Sequence, residues 1–396
     1  MLRQVEGSKA VADAVAACAP EVICAYPISP QTHIVEGLSQ LVKSGELKNC
    51  EFINVESEFA AMSVAIGSSA TGARTYTATA SQGLLYMVEA VYNASGLGLP
   101  IVMTVANRAI GGPINIWNDH SDSMSQRDSG WLQLYAENNQ EAVDLHIQAF
   151  KIAEEMSMPV MVCMDGFILT HAYEQVDIPT AEEVAGFLPP FVPRQQLDPA
   201  DPVSIGAMVG PESFMEVKYL AHQRMIDSER VVKRVAEEFE AHFGRKTGGL
   251  LRTYRTEGAE TVVLALGSII GTLKDVIDEL QLDGHSIGVL GLTSFRPFPY
   301  DALAAALKDA KRVIILEKAF STGTGGIVTL DVARAIEGMD IQDLTLIAGL
   351  GGRPITIASL KNYLLNAMKN NVDRTTFLDL EVDTVEIEVN KERAMR

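Results

Sequence analysis

The sequence predicts an α/β protein built from parallel sheets that are covered by helices on both faces. Short segments such as Pro100–Ala106 are almost entirely apolar, which is typical of strands buried on both sides. Segments with the spacing of helices separate these strands along the chain. The alternation occurs in two blocks, one within the first 170 residues and one after residue 260. The chain therefore contains two α/β units rather than one.

In the first block each strand is short and apolar, and each helix carries an apolar face. Pro27 ends the first strand, small residues fill the helix over 57–69, and the strand over 74–80 is rich in β-formers. We predict strands over 21–26, 51–55, 74–80, 100–106 and 159–164, and helices over 8–19, 31–43, 57–69, 82–94 and 140–155.

A proline-rich segment over 188–211 separates the blocks, and a charged amphipathic helix over 212–243 follows it as a linker. The second block predicts strands over 261–266, 286–291, 312–317 and 344–348, and helices over 272–280, 300–310 and 326–338. We therefore divide the chain into a first domain over 1–245, a second over 246–370 and a polar tail over 371–396. We expect this tail to pack along a neighbour or to fray.

Charge and composition exclude several classes of protein. The 396 residues include 32 basic and 51 acidic side chains, a formal charge of −19, which argues against a nucleic-acid partner. No apolar stretch is long enough to span a membrane, and the N-terminus lacks the apolar segment of a secretory signal, so we expect a cytoplasmic protein. The four cysteines contain no C-x-x-C pair, which argues against an iron–sulfur or zinc site in this chain.

Ligands of open parallel sheets bind beyond the carboxyl ends of the strands. This rule selects polar residues at four strand ends of the first block, namely Ser29, Glu58, the segment Thr79-Ala80-Ser81-Gln82-Gly83, and Arg108. Ser29 and Glu58 could equally serve to cap or begin a helix. Glu56 competes with Glu58 as an acid or base, and Arg108 could form an internal salt bridge instead of binding a small carboxylate.

Other polar or glycine-rich segments give weaker indications of a metal-binding or nucleotide-binding site. The loop Asn118-Asp119-His120-Ser121-Asp122 is predicted to be a hydrogen-bonded lid rather than a metal site. The glycine runs at 323–326 and 349–352 do not complete a dinucleotide or P-loop motif. We expect no metal ligand in this chain, since the remaining histidines have no recognisable ligand spacing: His33, His146, His171, His222, His242 and His285.

Several motifs occur together in the order found in one family. Tyr26-Pro27-Ile28-Ser29-Pro30, Glu56-Ser57-Glu58, Thr79-Ala80-Ser81-Gln82-Gly83, Arg108 and the segment 113–122 carry the resemblance over nearly the whole length. The chain resembles the alpha subunit of multi-subunit 2-oxoacid:ferredoxin oxidoreductases, most closely the pyruvate synthase type. This resemblance implies a pyrimidine-binding domain of a thiamine diphosphate enzyme, followed by a smaller domain like the C-terminal domain of transketolase.

The resemblance also implies roles for individual residues. Glu58 contacts the aminopyrimidine ring and favours its imino tautomer, and Ser29 and Arg108 hold the substrate carboxylate. The residues implied to line the cofactor beside Glu58 are Tyr26, Pro27, Thr79, Ser81 and Gln82, and those added on the substrate side are Asn118 and Asp119. Ser29 stands where the family more often has threonine, so an aromatic or branched 2-oxoacid is an alternative substrate.

The chain lacks the G-D-G triplet with which the Mg²⁺–diphosphate site of thiamine enzymes usually begins. By the family pattern, a beta subunit holds Mg²⁺ and the diphosphate, and gamma and delta subunits of ferredoxin type hold [4Fe-4S] clusters. The implied reaction converts a 2-oxoacid and coenzyme A to acyl-CoA and CO₂, with electrons passed to ferredoxin or a similar carrier. A non-redox enzyme of transketolase type and a non-catalytic scaffold subunit are the competing hypotheses.

Overall fold

The computed structural model of the chain describes residues 2–395. Its strands are β1 (Leu2–Glu6), β2 (Val22–Ala25), β3 (Glu51–Asn54), β4 (Thr75–Thr79), β5 (Ile101–Asn107), β6 (Leu132–Tyr135), β7 (Val160–Asp165), β8 (Tyr173–Asp177), β9 (Leu251–Tyr254), β10 (Thr261–Ala265), β11 (Ile287–Leu292), β12 (Ser294–Arg296), β13 (Arg312–Glu317), β14 (Gln342–Ile347) and β15 (Thr375–Phe377). Its α-helices are α1 (Gly7–Ala17), α2 (Thr32–Ser44), α3 (Glu58–Ala70), α4 (Ser81–Tyr86), α5 (Val88–Leu97), α6 (Ser121–Ser125), α7 (Asn139–Met156), α8 (Ala181–Phe187), α9 (Pro211–Phe243), α10 (Ile269–Leu282), α11 (Tyr300–Leu307), α12 (Val328–Ala335), α13 (Ile357–Met368) and α14 (Val382–Met395).

The first sheet has seven strands in the order β12-β6-β7-β5-β4-β2-β3. All neighbouring pairs are parallel except β12 with β6, which confirms the predicted parallel sheet and adds an antiparallel edge. The chain leaves β2 toward β3 on one side and returns to β4 on the other. The strand order therefore reverses between β2 and β4, and a ligand crevice is expected beyond their carboxyl ends.

The second sheet has six strands in the order β15-β14-β13-β10-β11-β9, with only β9 antiparallel to its neighbour. The strand β15 lies beyond the predicted boundary at residue 370, and α14 forms an exposed helix where we predicted a polar tail that packs along a neighbour or frays. The interstrand pairing of β15 with β14, rather than any apolar pattern, identifies this strand.

Some elements carry no sequence signal because they bury little apolar surface. The strands β1 and β8 form a separate two-stranded antiparallel sheet, and most of their side chains are partly or fully exposed. The helix predicted over 82–94 is interrupted at Met87, which separates α4 from α5. The linker helix, predicted over 212–243, begins one residue earlier as α9.

The two large sheets share one apolar core. Val105 and Met103 of β5 belong to the same buried cluster as Leu264 of β10 and Leu290 of β11. Separate clusters cover the outer faces of the two sheets, beneath α1 and α7 on one side and beneath α10 and α13 on the other. Among residues 2–395, no helix combines the length and apolarity that crossing a bilayer requires. The two α/β units therefore pack against each other as one body.

Candidate functional site

Glu58 lies at the carboxyl end of β3, in the first turn of α3. The Ser57 hydroxyl caps this helix by accepting a hydrogen bond from the Ala60 N–H at 3.2 Å, so the Glu58 carboxylate is not needed as the cap. The Glu58 side chain is only 8% exposed, whereas Glu56 is exposed. Its carboxylate has no hydrogen-bond or ion-pair partner within residues 2–395. A buried carboxylate without a partner is costly, so this group is poised to interact with a ligand.

The turn after β4 forms the wall opposite Glu58. A Cβ atom placed on Gly83 would lie 2.7 Å from Glu58 Oε1 and 2.6 Å from Thr79 Oγ1, so only glycine permits this close approach. The Thr79 hydroxyl is fully buried and has no hydrogen-bond partner among the described residues. The Glu58 carboxylate and the Thr79 hydroxyl, neither with a hydrogen-bond partner among the described residues, thus pack against the same glycine.

Ser81 adopts a left-handed conformation with φ 47°, which is unusual for a residue other than glycine. Its backbone N–H donates to Asp122 Oδ2 at 2.9 Å, and its hydroxyl donates to the Ala109 carbonyl oxygen at 2.5 Å and lies close to Gln82 Oε1. These hydrogen bonds stabilise the unusual backbone conformation of the turn that follows β4. The turn holds Gln82 partly exposed at the rim of the site.

Asp122 links the turn after β4 to the end of β5. Besides the Ser81 N–H, its carboxylate accepts the Arg108 N–H at 2.9 Å and the Asn107 side-chain amide at 2.8 Å. Burial raises the pKa of Asp122, and these donated hydrogen bonds oppose the shift. The sequence placed Asp122 in the polar loop but gave it no role. Its partners are distant along the chain, and only the fold brings them together.

Arg108 is 7% exposed, and its guanidinium is partly engaged by backbone. The Nε donates to the Asn115 carbonyl oxygen at 3.0 Å, and Nη1 donates to the Ser29 carbonyl oxygen at 3.0 Å. Burial lowers the pKa of the Arg108 guanidinium, while the negative charge of Asp122 raises it. Arg108 forms no salt bridge within residues 2–395, so the alternative of an internal ion pair is wrong. Its Nη2 remains available for an anion.

The loop that carries Ser29 borders Arg108. Ser29 itself is exposed, and it does not cap a helix, because α2 begins after Gln31. The Gln31 side chain donates to the Tyr26 carbonyl oxygen at 3.1 Å and to the Ala78 carbonyl oxygen at 2.7 Å, which fastens this loop to β4. Gln31 carries no sequence signal for this role. Tyr26 and Pro27 lie exposed at the rim.

The predicted lid loop is hydrogen-bonded, but it is buried. Asn118 accepts from Lys318 Nζ and donates to the Asn107 carbonyl oxygen at 3.1 Å, and Asp119 accepts from the Gly351 N–H at 3.0 Å. These contacts tie the loop to the second α/β unit. The side-chain polar atoms of Asn118 and Asp119 therefore have partners within the chain, and their implied role in binding substrate stays a prediction.

A buried charged network lies behind this loop. Asp165 accepts from Lys318 Nζ at 2.9 Å, lies 2.6 Å from His120 Nε2, and also accepts from the Ser268 hydroxyl. The positive charges of Lys318 and His120 and the hydrogen bonds overcome the effect of burial and hold the pKa of Asp165 well below its usual value. The network fixes the second unit against the carboxyl edge of the first sheet.

Exposed apolar side chains surround the candidate site. Phe59, which follows Glu58 in the chain, and Tyr86 are 39% and 62% exposed, with ring centroids 6.4 Å apart. On the other side, Ile114, Ile116 and Trp117 are exposed around the Asn115 carbonyl that binds Arg108. An exposed apolar rim of this kind marks an interaction surface. The candidate site therefore combines the carboxylate of Glu58 and the guanidinium of Arg108, and exposed apolar side chains lie around it.

Two family models match the chain. The model described as pyruvate flavodoxin/ferredoxin oxidoreductase, thiamine diP-bdg, matches residues 13–237, and the model of pyruvate:ferredoxin oxidoreductase core domain II matches residues 259–360. The two matches fall on the two α/β blocks that the sequence pattern predicts.

Curated relatives match over almost the whole length. The pyruvate synthase subunit PorA of Methanosarcina barkeri is 49% identical over 92% of this chain and 92% of its own. PorA of Methanocaldococcus jannaschii is 46% identical over 96% of this chain and 98% of its own. The ketoisovalerate oxidoreductase subunit VorA of Pyrococcus horikoshii is 39% identical over 96% of both chains.

Solved structures share the fold at low sequence identity. A 2-oxoglutarate:ferredoxin oxidoreductase from Magnetococcus marinus superposes with a TM-score of 0.68 at 18% identity, covering 92% of this chain. This chain spans 65% of the length of that larger chain. A split-gene transketolase superposes with a TM-score of 0.55 at 14% identity, over 93% of this chain and 100% of that chain. The predicted fold class is confirmed.

Proposed function

The chain belongs to the pyruvate flavodoxin/ferredoxin oxidoreductase family and is a subunit of a thiamine diphosphate-dependent 2-oxoacid oxidoreductase, and we propose that its substrate is pyruvate. The relatives named pyruvate synthase subunits, at 42–49% identity, support pyruvate. A branched 2-oxoacid is the second candidate, because relatives named ketoisovalerate oxidoreductase subunits are 39% identical.

The observation that supports a cofactor-binding role for particular residues is the carboxylate of Glu58, which has no partner within residues 2–395. Glu58 and the Thr79 hydroxyl both pack against Gly83 and have no hydrogen-bond partner among residues 2–395, so these residues suit a ligand with a hydrogen-bonding edge. We place the pyrimidine ring of thiamine diphosphate there, with Tyr26, Pro27, Ser81 and Gln82 around it. Thiamine diphosphate, when bound, supplies the nucleophilic carbon and the electron sink that decarboxylation of a 2-oxoacid requires.

We assign proton transfer to Glu58 and binding of the substrate carboxylate to Arg108 and Ser29. Glu58 would hold a nitrogen of the ring by a hydrogen bond and would govern the protonation of the pyrimidine, because its carboxylate is buried and has no partner within residues 2–395. Arg108 directs its free Nη2 toward the substrate carboxylate, and the Ser29 hydroxyl lies on the neighbouring loop. Asp122 positions both the turn after β4 and Arg108 without touching the substrate.

We further propose that the site is completed by other subunits. The apolar rim around Glu58 supports a beta subunit that covers the site and holds the diphosphate and Mg²⁺. Cys18, Cys24 and Cys163 are buried and dispersed and Cys50 is isolated, which supports placing the [4Fe-4S] clusters on partner chains of ferredoxin type. Coenzyme A and ferredoxin complete the reaction, and the free thiols are consistent with the cytoplasm.

The decisive experiment uses the native complex that contains this chain. Coenzyme A-dependent reduction of a dye is measured with pyruvate, a branched 2-oxoacid, an aromatic 2-oxoacid and 2-oxoglutarate. We expect the largest kcat/KM for pyruvate. A larger value for the branched acid would transfer the assignment to the ketoisovalerate type. A complex without the broad visible absorbance of iron–sulfur clusters, and without dye reduction by any of these acids, would contradict the redox function.

A further inference from the structure

Three potential metal ligands meet on the surface at the start of the first unit, beside the loop that carries Ser29. Glu6 ends β1, His33 lies in the first turn of α2, and His171 precedes β8. One ligand atom of each side chain lies within 4.8 Å of the others. We propose that Glu6, His33 and His171 bind a divalent transition-metal ion. This inference does not depend on the proposed function.

The donor set matches the chemistry of such an ion. Two imidazoles and one carboxylate are a ligand set of Zn²⁺, which has bonds of about 2.0–2.2 Å and ligand atoms about 3.4 Å apart. An ion would therefore draw the three ligand atoms closer together than the 4.8 Å within which they lie. Hard cations such as Mg²⁺ prefer oxygen ligands only, so the two imidazoles favour a transition metal.

The surroundings of the two rings suit ligation. His33 Nδ1 already lies 2.7 Å from Glu6 Oε1, and His171 Nδ1 lies 2.7 Å from the Thr170 hydroxyl. A hydrogen bond at one ring nitrogen orients an imidazole and leaves its other nitrogen for an ion. The ring centroids of His33 and His171 are 4.8 Å apart.

The site is open to solvent and locally acidic. His33 is 49% exposed, and a surface cavity of about 420 Å³ lies beside it, lined also by Glu6, Glu36 and Lys9. Glu36 is one helical turn after His33 and could approach an ion as a further ligand. Lys9 is paired with Asp13 at 2.8 Å, so its charge is compensated. A water molecule can therefore complete the coordination.

An ion at this position would join three segments that border the loop bearing Ser29. His33 is two residues after Gln31, which fastens that loop, and the segment leading to His171 packs on Pro30, since a Cβ on Gly166 would lie 2.6 Å from Pro30 Cγ. We therefore expect the bound ion to stabilise the fold around this loop. Sequence spacing does not reveal the site, because its ligands are separated by 27 and 138 residues (33 − 6 and 171 − 33).

The test is a calorimetric titration of the chelator-treated full chain with Zn²⁺, with Mg²⁺ in a parallel titration. We expect one Zn²⁺ per chain, a raised midpoint of thermal unfolding and no saturable Mg²⁺ binding. His33→Ala and His171→Ala should each weaken Zn²⁺ binding by at least about tenfold, as loss of a ligand requires. His222→Ala, which removes an exposed histidine from α9, is the matched control and should bind like the wild type.

Circular dichroism of each variant without metal checks that the fold is retained. The proposal is overturned if the wild type takes up no Zn²⁺, or if His33→Ala and His171→Ala bind it as tightly as His222→Ala does. Equal binding of Mg²⁺ at the same site would overturn the choice of a transition metal. Co²⁺ is a second probe, since its visible spectrum on binding reports nitrogen ligation and should be lost in both histidine variants.

Discussion

Arg108 donates a hydrogen bond from Nη1 to the backbone carbonyl oxygen of Ser29 at 3.0 Å. This bond joins the ends of β5 and β2, whose loops are the two proposed to bind the substrate carboxylate. It also restricts what the guanidinium can do, because Nε is committed to the Asn115 carbonyl. Only Nη2 and the second hydrogen of Nη1 have no hydrogen-bond partner among residues 2–395.

Arg108→Lys should raise the KM for the 2-oxoacid by about 10–100-fold, the range expected for losing a charge-assisted hydrogen bond. Lysine keeps the charge but loses the planar fork that reaches Ser29 and the substrate together. Steady-state kinetics of the assembled enzyme measure the effect, with Arg127→Lys, a partly exposed arginine paired with Asp128, as the control. An unchanged KM would mean that Arg108 does not bind the substrate.

Glu58→Gln should lower kcat by about 10²–10⁴-fold, the usual contribution of a positioned acid or base. The variant should be at least as stable as the wild type, because it removes a buried charge that has no partner in the chain. Coenzyme A-dependent dye reduction and thermal unfolding are measured together. Glu56→Gln, two residues away and exposed, should retain activity; activity lost there and kept in Glu58→Gln would exchange the two assignments.

Gly83→Ala should weaken the binding of thiamine diphosphate and lower turnover by at least about tenfold. The added methyl group would lie 2.6 Å from Thr79 Oγ1 and 2.7 Å from Glu58 Oε1, so the carboxylate has to move. The matched control is Gly96→Ala in α5, where no atom lies within 4 Å of the new Cβ. That control should bind the cofactor normally and gain up to about 1 kcal/mol of helix stability.

The buried His146 predicts how stability depends on pH. Burial lowers the pKa of His146 from 6.5 to about 4 in the folded chain, where its Nε2 lies 2.5 Å from the Thr104 hydroxyl. Between these pH values the unfolded chain binds a proton that the folded chain does not, so the free energy of unfolding falls as the pH falls. The loss reaches about 3 kcal/mol at pH 4.

Urea unfolding at a series of pH values measures this slope. His146→Gln cannot titrate and should lose this part of the dependence between pH 6.5 and 4, whereas His222→Gln on the exposed face of α9 should keep it. Parallel curves for the wild type and His146→Gln would show that His146 is not the group responsible.

Apolar runs predicted the parallel core of the fold well. The strand predicted over 100–106 is β5 at Ile101–Asn107, and that predicted over 312–317 is β13. Both are buried on two faces, so local composition alone identifies them. The strands β1, β8 and β9 are edge strands with partly exposed side chains. Their position depends on main-chain pairing with distant segments, which composition does not encode.

In the candidate site, too, some features could be predicted from local sequence, whereas others depend on contacts between distant residues. The rule that ligands bind at strand ends brought Ser29, Glu58, Ser81 and Arg108 to one edge, and the structure places them around the crevice between β2 and β4. Asp122 joins two of them through bonds across 41 and 14 residues, and no local pattern indicates this. The close packing of Gly83 against Glu58 is equally invisible in the sequence, since it depends on how the turn after β4 approaches α3.

The antiparallel strand β12 has a consequence for how the chain can be divided. Ser294 and Arg296 pair with Leu134 and Gln133 of β6, so a segment from the later half closes the border of the earlier sheet. A fragment ending at residue 245 would expose the main-chain groups of β6 and the rings of Trp131 and Tyr135, both buried in the intact chain. Such a fragment would have an unpaired edge strand, which promotes self-association through main-chain hydrogen bonds. The first sheet is therefore complete only when the second half of the chain is present, although the sequence pattern resembles that of two independent domains.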